Sequence, residues 1–132
     1  MIFCFDCDGT LTTNSGFGAS SLNIPWQILW VILFFYKPKI NNNTLELIKN
    51  IKERGHTVII ITARPKELER LTKKYLKRRN VPYDKIFFMS PGPDSGVRKI
   101  KKIKAEKVDF FFDNNKKIIK LANEEGIYSF LV

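Results

Sequence analysis

Two aspartates separated by one residue, Asp6 and Asp8, follow directly on the apolar run at residues 2–5. Such a run is typical of a buried strand, where ionised carboxylates are costly unless a cation or hydrogen-bond donors compensate them. Carboxylate oxygens are also ligands that Mg²⁺ prefers. The pattern therefore predicts a metal-dependent site at the carboxyl end of the first strand.

Polar residues also end two later apolar runs. Thr62 follows residues 58–61, and Asp113 and Asn114 follow residues 110–112. In open parallel sheets the ligand crevice lies beyond the carboxyl ends of the strands. We therefore expect these residues to meet Asp6 and Asp8 at one edge of a sheet.

The elements that would position these residues alternate along the chain. Five apolar runs, at residues 2–5, 58–61, 86–88, 110–112 and 128–132, are nearly uniform in hydrophobicity, as expected of parallel strands buried on both faces. Helical spacing is present at residues 43–54 and 115–125, which end at Gly55 and Gly126, and in a segment containing Ile100 and Ile103. This order predicts a doubly wound α/β sandwich.

A further helix is predicted over residues 65–79, with Pro65 at a tolerated first-turn position. Leu68, Leu71, Tyr75 and Leu76 lie at helical spacing and would form its inward stripe. Each predicted strand except the last is thus followed by a helix.

The length of 132 residues and a hydrophobic content of 44% fit one domain, residues 1–132, and leave no room for a second. Lys and Arg number 23 against 13 Asp and Glu, and the excess is concentrated between residues 64 and 107. These charges either form a solvated surface or create a field that attracts phosphorylated or other anionic ligands. Anionic lipid and nucleic acid stay open as partners at this point.

Cys4 and Cys7 have the spacing of a redox or zinc pair, but the chain has one His and no second cysteine pair to complete a zinc site. We interpret Cys4 as a small buried apolar residue and Cys7 as a spacer between the acids. Free cysteines favour a reducing, intracellular compartment.

Residues 24–36 form an unusual apolar segment in which Gln27 is the one conventional polar residue. A membrane-spanning helix needs about 20 apolar residues, so this segment is too short to span a bilayer. Asn23 is a suitable N-cap for a helix here. Three interpretations stay open for this insert, residues 14–42: a small cap or core helix shared in a homodimer, an interfacial helix at a membrane surface, or a wall of a hydrophobic substrate site.

The stretch Asp6-Cys7-Asp8-Gly9-Thr10 after an apolar strand resembles the first motif of the haloacid dehalogenase superfamily of phosphatases and phosphotransferases. Residues 59–62 resemble its second motif, residues 110–114 its fourth, and the lysine-rich stretch 98–104 lies where its third is expected. The resemblance covers nearly the whole chain except residues 14–42. It implies a Rossmann-like three-layer sandwich with a minimal cap.

The resemblance also implies roles for the acidic residues. Asp6 would be the nucleophile that forms an aspartyl-phosphate and would bind Mg²⁺ through its other oxygen. Asp8 would be the general acid and base, with its backbone carbonyl on the metal. Asp113 and Asn114 would complete the magnesium shell, and Asn114 departs from the frequent Asp-Asp pair, which lowers the negative charge of the site by one.

On the substrate side, the resemblance implies that Thr62 donates its hydroxyl to a phosphoryl oxygen. Residues 62–64 would bind the substrate, with Arg64 either on its anion or capping the next helix. A lysine from the third motif would neutralise nucleophile and phosphate. We predict Lys99, which lies near the start of its helix, and keep Lys102, one turn later, as the alternative.

Together these features predict Mg²⁺-dependent hydrolysis of a phosphomonoester, on a phosphorylated small molecule or a lipid-like substrate. The first motif together with Thr62-Ala63-Arg64 is similar to the catalytic domain of lipin-type phosphatidate phosphatases, an analogy at the level of the fold. The alternative is a non-catalytic binding protein that uses the basic face for anionic lipid or nucleic acid. The intact Asp8 argues against it, and nucleic acid is not our expected partner. We expect a cytoplasmic protein, with contact to the inner membrane surface as an option.

Overall fold

The computed structural model describes residues 1–13 and 39–132. The helix predicted over residues 24–36, and with it the proposed cap, dimer contact or membrane contact, lies outside the described residues. None of the helices in the described ranges is both long and apolar enough to cross a membrane.

Five parallel strands form one sheet in the order β3-β2-β1-β4-β5. They are β1 (Ile2–Asp6), β2 (Thr57–Thr62), β3 (Lys85–Phe88), β4 (Phe110–Asp113) and β5 (Tyr128–Leu131). Every predicted strand is present, with ends that differ from the prediction by one residue at most. The sheet reverses its order at β1, between β2 and β4, which is where such a fold opens a crevice.

The described helices are α1 (Asn42–Glu53), α2 (Glu69–Arg78), α3 (Ser95–Ala105) and α4 (Lys116–Glu124), with a 3₁₀ turn at Lys66–Leu68 before α2. Asn41 and Asn115 cap α1 and α4, because each side chain accepts hydrogen bonds from two backbone N–H groups of the first turn. The doubly wound parallel sheet predicted from the sequence is confirmed.

The two faces of the sheet have separate cores, because neighbouring residues of a strand point to opposite sides. Phe5, Val58 and Ile60 pack with residues of α1 and α2. Cys4, Ile59, Ile61 and Phe111 pack with residues of α3 and α4. The sheet is thus the middle layer of a three-layer sandwich.

One local prediction, on the inward stripe of α2, was wrong. Leu71 was assigned to the inward stripe of its helix but is 48% exposed, and Thr72 is buried instead. The polar Thr72 lies inside because it accepts a hydrogen bond from Arg64 there. Ile40 pairs with Thr12 in an isolated bridge, and α1 begins at Asn42.

At the amino edge of the sheet, two aspartates hold strand ends. Asp109 Oδ2 accepts a hydrogen bond of 2.7 Å from the N–H of Ile2, and Asp84 accepts one of 2.7 Å from the N–H of Val58. These carboxylates are structural. The residues predicted to do chemistry lie at the opposite, carboxyl edge.

Candidate active site

The chain turns sharply where β1 ends. Gly9 has φ +87°, a conformation that L side chains rarely adopt, and the N–H groups of Leu11 and Thr12 both donate to the Cys7 carbonyl oxygen. The Thr44 hydroxyl of α1 donates to the Thr10 carbonyl oxygen over 3.0 Å. The backbone that carries Asp6 and Asp8 is therefore held by hydrogen bonds within its own turn and by one from α1.

Asp6, Lys99 and Asp113 form a buried charge cluster, which we call the acidic cluster. Lys99 Nζ lies 2.5 Å from Asp6 Oδ1 and 3.2 Å from Asp113 Oδ2. All three residues are at most 4% exposed. Buried charges persist only when paired, and here one ammonium group compensates two carboxylates, which leaves one net negative charge when both are ionised.

Burial dominates the protonation of the cluster. Loss of hydration raises the pKa of Asp6 to about 7, while Lys99 counteracts this and the charges of Asp113 and Asp8 add to it. Burial alone lowers the pKa of Lys99, but Asp6 and Asp113 more than reverse this and hold it above its ordinary value. Lys99 is therefore charged at neutral pH.

Asp8 lies in a different environment from Asp6. Its side chain is 34% exposed and is bound by the guanidinium of Arg64, which is 4% exposed. Arg64 Nη2 lies 2.6 Å from Asp8 Oδ1, and Nε lies 3.0 Å from Oδ2. This is a two-pronged ion pair of the kind that fixes the plane of a carboxylate.

Thr62 joins the Asp8 side of the site. Its hydroxyl, fully buried, donates to Asp8 Oδ2 over 3.4 Å and accepts from the backbone N–H of Arg64 over 3.1 Å. Its predicted role, to donate a hydrogen bond to a phosphoryl oxygen of the substrate, stays a prediction. Ala63, half-buried, connects Thr62 to Arg64 at the same edge of the sheet.

The site has oxygen donors suited to Mg²⁺. The amide of Asn114, with its NH₂ group turned toward them, lies 3.3 Å from both the Asp8 carbonyl oxygen and Asp113 Oδ1. In the opposite orientation, the amide oxygen of Asn114 would face these two oxygens. Three oxygens this close together are stable only around a cation. The donor chemistry around Asp113 thus fits a magnesium ion.

Within residues 1–13 and 39–132, no three His, Cys, Asp or Glu side chains are arranged to hold a metal ion. The predicted shell takes side-chain carboxylates only from Asp6 and Asp113. It would take a backbone carbonyl from Asp8 and an amide from Asn114. A shell of this composition needs no third carboxylate.

The two lysine candidates are well separated. Lys99 lies in the acidic cluster, whereas Lys102 Nζ stacks 4.1 Å from the centre of the Phe87 ring and lies 3.5 Å from Glu106. The structure therefore brings Lys99, and not Lys102, to Asp6. One turn of α3 separates them, and the phase of the helix against the sheet decides which points inward.

Two contributors were not predicted from the sequence. Thr72 accepts a 3.1 Å hydrogen bond from Arg64 Nη1, and nothing in an amphipathic helix pattern marks a buried threonine as functional. Arg98 donates to the carbonyl oxygens of Met89 and Ser90 and so holds the loop that leads into α3. Its position directly before Lys99 in the sequence is the one signal that links it to the site.

The cysteines do not form a pair. Cys4 and Cys7 are free and buried, and they belong to the cores on opposite faces of the sheet. Burial raises the pKa of both thiols far above the ordinary range, so both are protonated. The interpretation of Cys4 as a core residue fits this geometry.

Comparisons with known proteins agree with the motifs. The family described as "PITM 1-3, LNS2 domain" matches residues 3–122. A putative nucleotidase of Bacillus cereus is 30% identical over 114 residues, which cover 84% of this chain and 59% of the relative. The chain therefore spans less than two thirds of that relative's length.

The fold is similar to that of two solved structures. A chain of the Pnkp1/Rnl/Hen1 RNA repair complex has a TM-score of 0.73 and 20% identity, over 99% of this chain and 41% of that chain. The D,D-heptose 1,7-bisphosphate phosphatase of B. bronchiseptica, complexed with magnesium and phosphate, has a TM-score of 0.67 and 14% identity, over 98% and 79% of the two chains. At these identities the likeness establishes the fold.

The match to the family extends over most of the chain and includes the strands that carry Asp6, Thr62 and Asp113. The solved structures confirm the fold that the resemblance implied. The chain therefore belongs to the LNS2 domain family, and its fold is that of the haloacid dehalogenase superfamily.

Proposed function

We propose that this chain is a Mg²⁺-dependent phosphatase that hydrolyses a phosphomonoester through an aspartyl-phosphate on Asp6. The observation that carries the proposal is the acidic cluster, in which Lys99 Nζ lies 2.5 Å from Asp6 and 3.2 Å from Asp113. Three residues from three separate elements meet there and are buried together. A cluster of this kind is costly for folding alone and is typical of a catalytic site.

In the first step, an Asp6 oxygen attacks phosphorus and the bond from phosphorus to the leaving oxygen breaks. That oxygen takes a proton from the carboxyl group of Asp8. The Lys99 ammonium group and the Thr62 hydroxyl would stabilise the charge on the phosphoryl oxygens, as positioned donors do in phosphoryl transfer.

In the second step, water attacks phosphorus and the bond from phosphorus to Asp6 breaks. The proton of the attacking water goes to Asp8, which is ionised after the first step. Phosphate leaves and both aspartates return to their starting state. The greater exposure of Asp8 supports this assignment, because its partners in proton transfer are solvent water and a leaving group.

A bound Mg²⁺ would polarise a phosphoryl oxygen and neutralise part of its charge. The residues that would hold it are Asp6, Asp113 and Asn114 through side-chain oxygens, and Asp8 through its backbone carbonyl. These are hard oxygen donors of the kind that Mg²⁺ prefers, and together with Lys99 they carry a single net negative charge when both carboxylates are ionised.

The substrate would be a phosphorylated small molecule or a lipid-like phosphate ester, which the basic character of residues 64–107 favours. The nucleotidase name of the Bacillus relative adds nucleoside monophosphates to the candidates. For residues 24–36 we propose a homodimer contact or contact with an anionic membrane surface on the cytoplasmic side. Sedimentation with and without anionic liposomes tests both.

The direct test is phosphate release from nucleoside monophosphates, sugar phosphates and phosphatidate, with Mg²⁺ and with a chelator. We expect activity that requires Mg²⁺ and is abolished in Asp6→Asn, with an unchanged circular dichroism spectrum. An inactive wild type on the whole panel would contradict the proposal and favour the non-catalytic binding function. Activity that survives Asp6→Asn would show that the nucleophile is another group.

A further inference from the structure

We infer that Arg64 is a positioning residue that fixes the carboxyl group of Asp8 for proton transfer, and that Thr72 fixes Arg64 in turn. The inference rests on the proposed function, in which Asp8 is the general acid and base. It assigns Arg64 a role other than binding the substrate anion, which the sequence left open.

The contact geometry favours orientation of Asp8. Arg64 Nη2 lies 2.6 Å and Nε 3.2 Å from Asp8 Oδ1, and Nε lies 3.0 Å from Oδ2. A planar guanidinium that contacts both oxygens fixes the plane of the carboxyl group as well as its position. An ionised and oriented Asp8 can take the proton of the attacking water in the second step, since a general base acts only within hydrogen-bond reach of the proton that it takes.

Arg64 is itself held at both ends. Its backbone N–H donates to the Thr62 hydroxyl over 3.1 Å, which anchors it at the end of β2. Its Nη1 donates to Thr72 Oγ1 over 3.1 Å, which anchors the tip to α2. Pro65 follows directly and disfavours a helical backbone at Arg64. The guanidinium group of Arg64 is therefore held in one position against Asp8.

Burial argues against a role as a mobile substrate ligand. Arg64 is 4% exposed, whereas the Asp8 side chain that it holds is 34% exposed. The arginine therefore supports the aspartate from the protein side and leaves the outer side of Asp8 facing the solvent. Lysine cannot replace this contact, because a single ammonium group does not present two parallel donors.

The rates of the two chemical steps distinguish a positioning role of Arg64 from a purely structural one. With p-nitrophenyl phosphate, the leaving p-nitrophenolate departs without a proton, so transfer to Asp6 does not depend on Asp8. Hydrolysis of the aspartyl-phosphate does depend on Asp8 as base. Misplacing Asp8 should therefore slow the second step alone and cause the phosphoenzyme to accumulate.

The experiment is rapid-quench kinetics of Arg64→Lys with p-nitrophenyl phosphate and Mg²⁺. We expect the burst of p-nitrophenolate to keep its rate and its amplitude, while steady-state turnover falls by roughly 10- to 100-fold, part of what general acid and base catalysis contributes. Thr72→Val should show the same pattern to a smaller extent, and Thr72→Ser, which keeps the hydroxyl, should restore turnover. Arg70→Lys, at an exposed position of α2, is the matched control.

Equal slowing of burst and turnover in Arg64→Lys would overturn the inference, because it would indicate contact with the phosphate. A burst amplitude that falls in proportion to turnover would also overturn it, because it would indicate loss of folded enzyme. Unchanged kinetics would overturn it as well. If Arg64→Lys does not fold, the same comparison of burst and turnover in Thr72→Val, with Thr72→Ser as its control, tests the inference. If the wild type and Arg70→Lys release no p-nitrophenolate either, the proposed function fails and the inference fails with it.

Discussion

Asp6 and Asp8 are two residues apart in the sequence and lie in opposite environments. Asp6 is buried against Lys99, which is distant in the sequence, while Asp8 is part exposed and held by the fork of Arg64. The buried position suits a nucleophile that must be oriented and shielded from water. The exposed position suits a group that exchanges protons with water and a leaving group. One turn of the chain thus produces two carboxylates with separate chemistry.

The largest expected effect distinguishes the two aspartates directly. Asp6→Asn removes the nucleophile and should lower turnover by at least about 10³-fold, with no phosphoenzyme. Asp8→Asn removes general acid and base catalysis and should lower turnover by roughly 10²- to 10⁴-fold, while an aryl phosphate still phosphorylates Asp6. Phosphoenzyme in Asp6→Asn, or its absence in Asp8→Asn, would reverse the assignment.

The second prediction concerns the stability of the acidic cluster. Lys99→Met leaves two buried carboxylates without their cation, and we expect it to lower the free energy of unfolding by about 3–5 kcal/mol in the absence of metal. Lys101→Met, at an exposed position of the same helix, is the matched control and should change it by less than about 0.5 kcal/mol. Urea unfolding measures both. Equal effects would mean that the cluster is not held by Lys99.

The third prediction uses the protonation of Asp6. Because burial raises its pKa to about 7, Asp6 is mainly protonated at pH 6 and mainly ionised at pH 8. Mg²⁺ binds the ionised form, so its affinity, measured by calorimetry, should rise about tenfold between these values. A constant affinity would contradict the shift.

The protonation of Asp6 also changes the stability of the fold. The stabilising contribution of protonated Asp6 is fully present below the ordinary pKa of 3.8 and is lost as the pH rises through about 7. Added Mg²⁺ should therefore stabilise the fold more at pH 8 than at pH 6. Thermal unfolding at the two values gives a readout independent of activity.

The smallest effect concerns the support of Asp8. Thr72→Val removes a buried hydrogen bond to a charged group and should lower the free energy of unfolding by about 1.5–3 kcal/mol. Leu71→Ala, at the neighbouring exposed position, should lower it by less than about 1 kcal/mol, since Leu71 is 48% exposed. A larger loss for Leu71→Ala would contradict the observed helix phase.

The strands and the edge of the sheet that carries the site were predictable, because uniform apolar runs that end in Asp6, Thr62 and Asp113 are typical of buried parallel strands leading to a ligand crevice. The environments of the side chains were not. The inward position of Thr72, where Leu71 was expected, depends on a hydrogen bond from a loop arginine. The spacing of hydrophobic residues does not reveal such a hydrogen bond.

The pairing of Asp8 with Arg64 was equally hidden. The two residues come from loops after different strands, and their contact depends on how β1 and β2 align in the sheet. Lys99 was predicted only from its place near a helix start, with Lys102 as the alternative. The choice between them depends on the rotation of α3 against the sheet, which sequence spacing does not determine.

The central claim is that Asp6 carries the phosphoryl group. The most direct measurement is peptide mapping by mass spectrometry of the Asp8→Asn variant, quenched in acid after incubation with p-nitrophenyl phosphate and Mg²⁺. The account predicts phosphate on the peptide that contains Asp6, and none when Asp6 is also changed to Asn. Phosphate on another residue, or no phosphorylated peptide from a variant whose wild type is active, would contradict it.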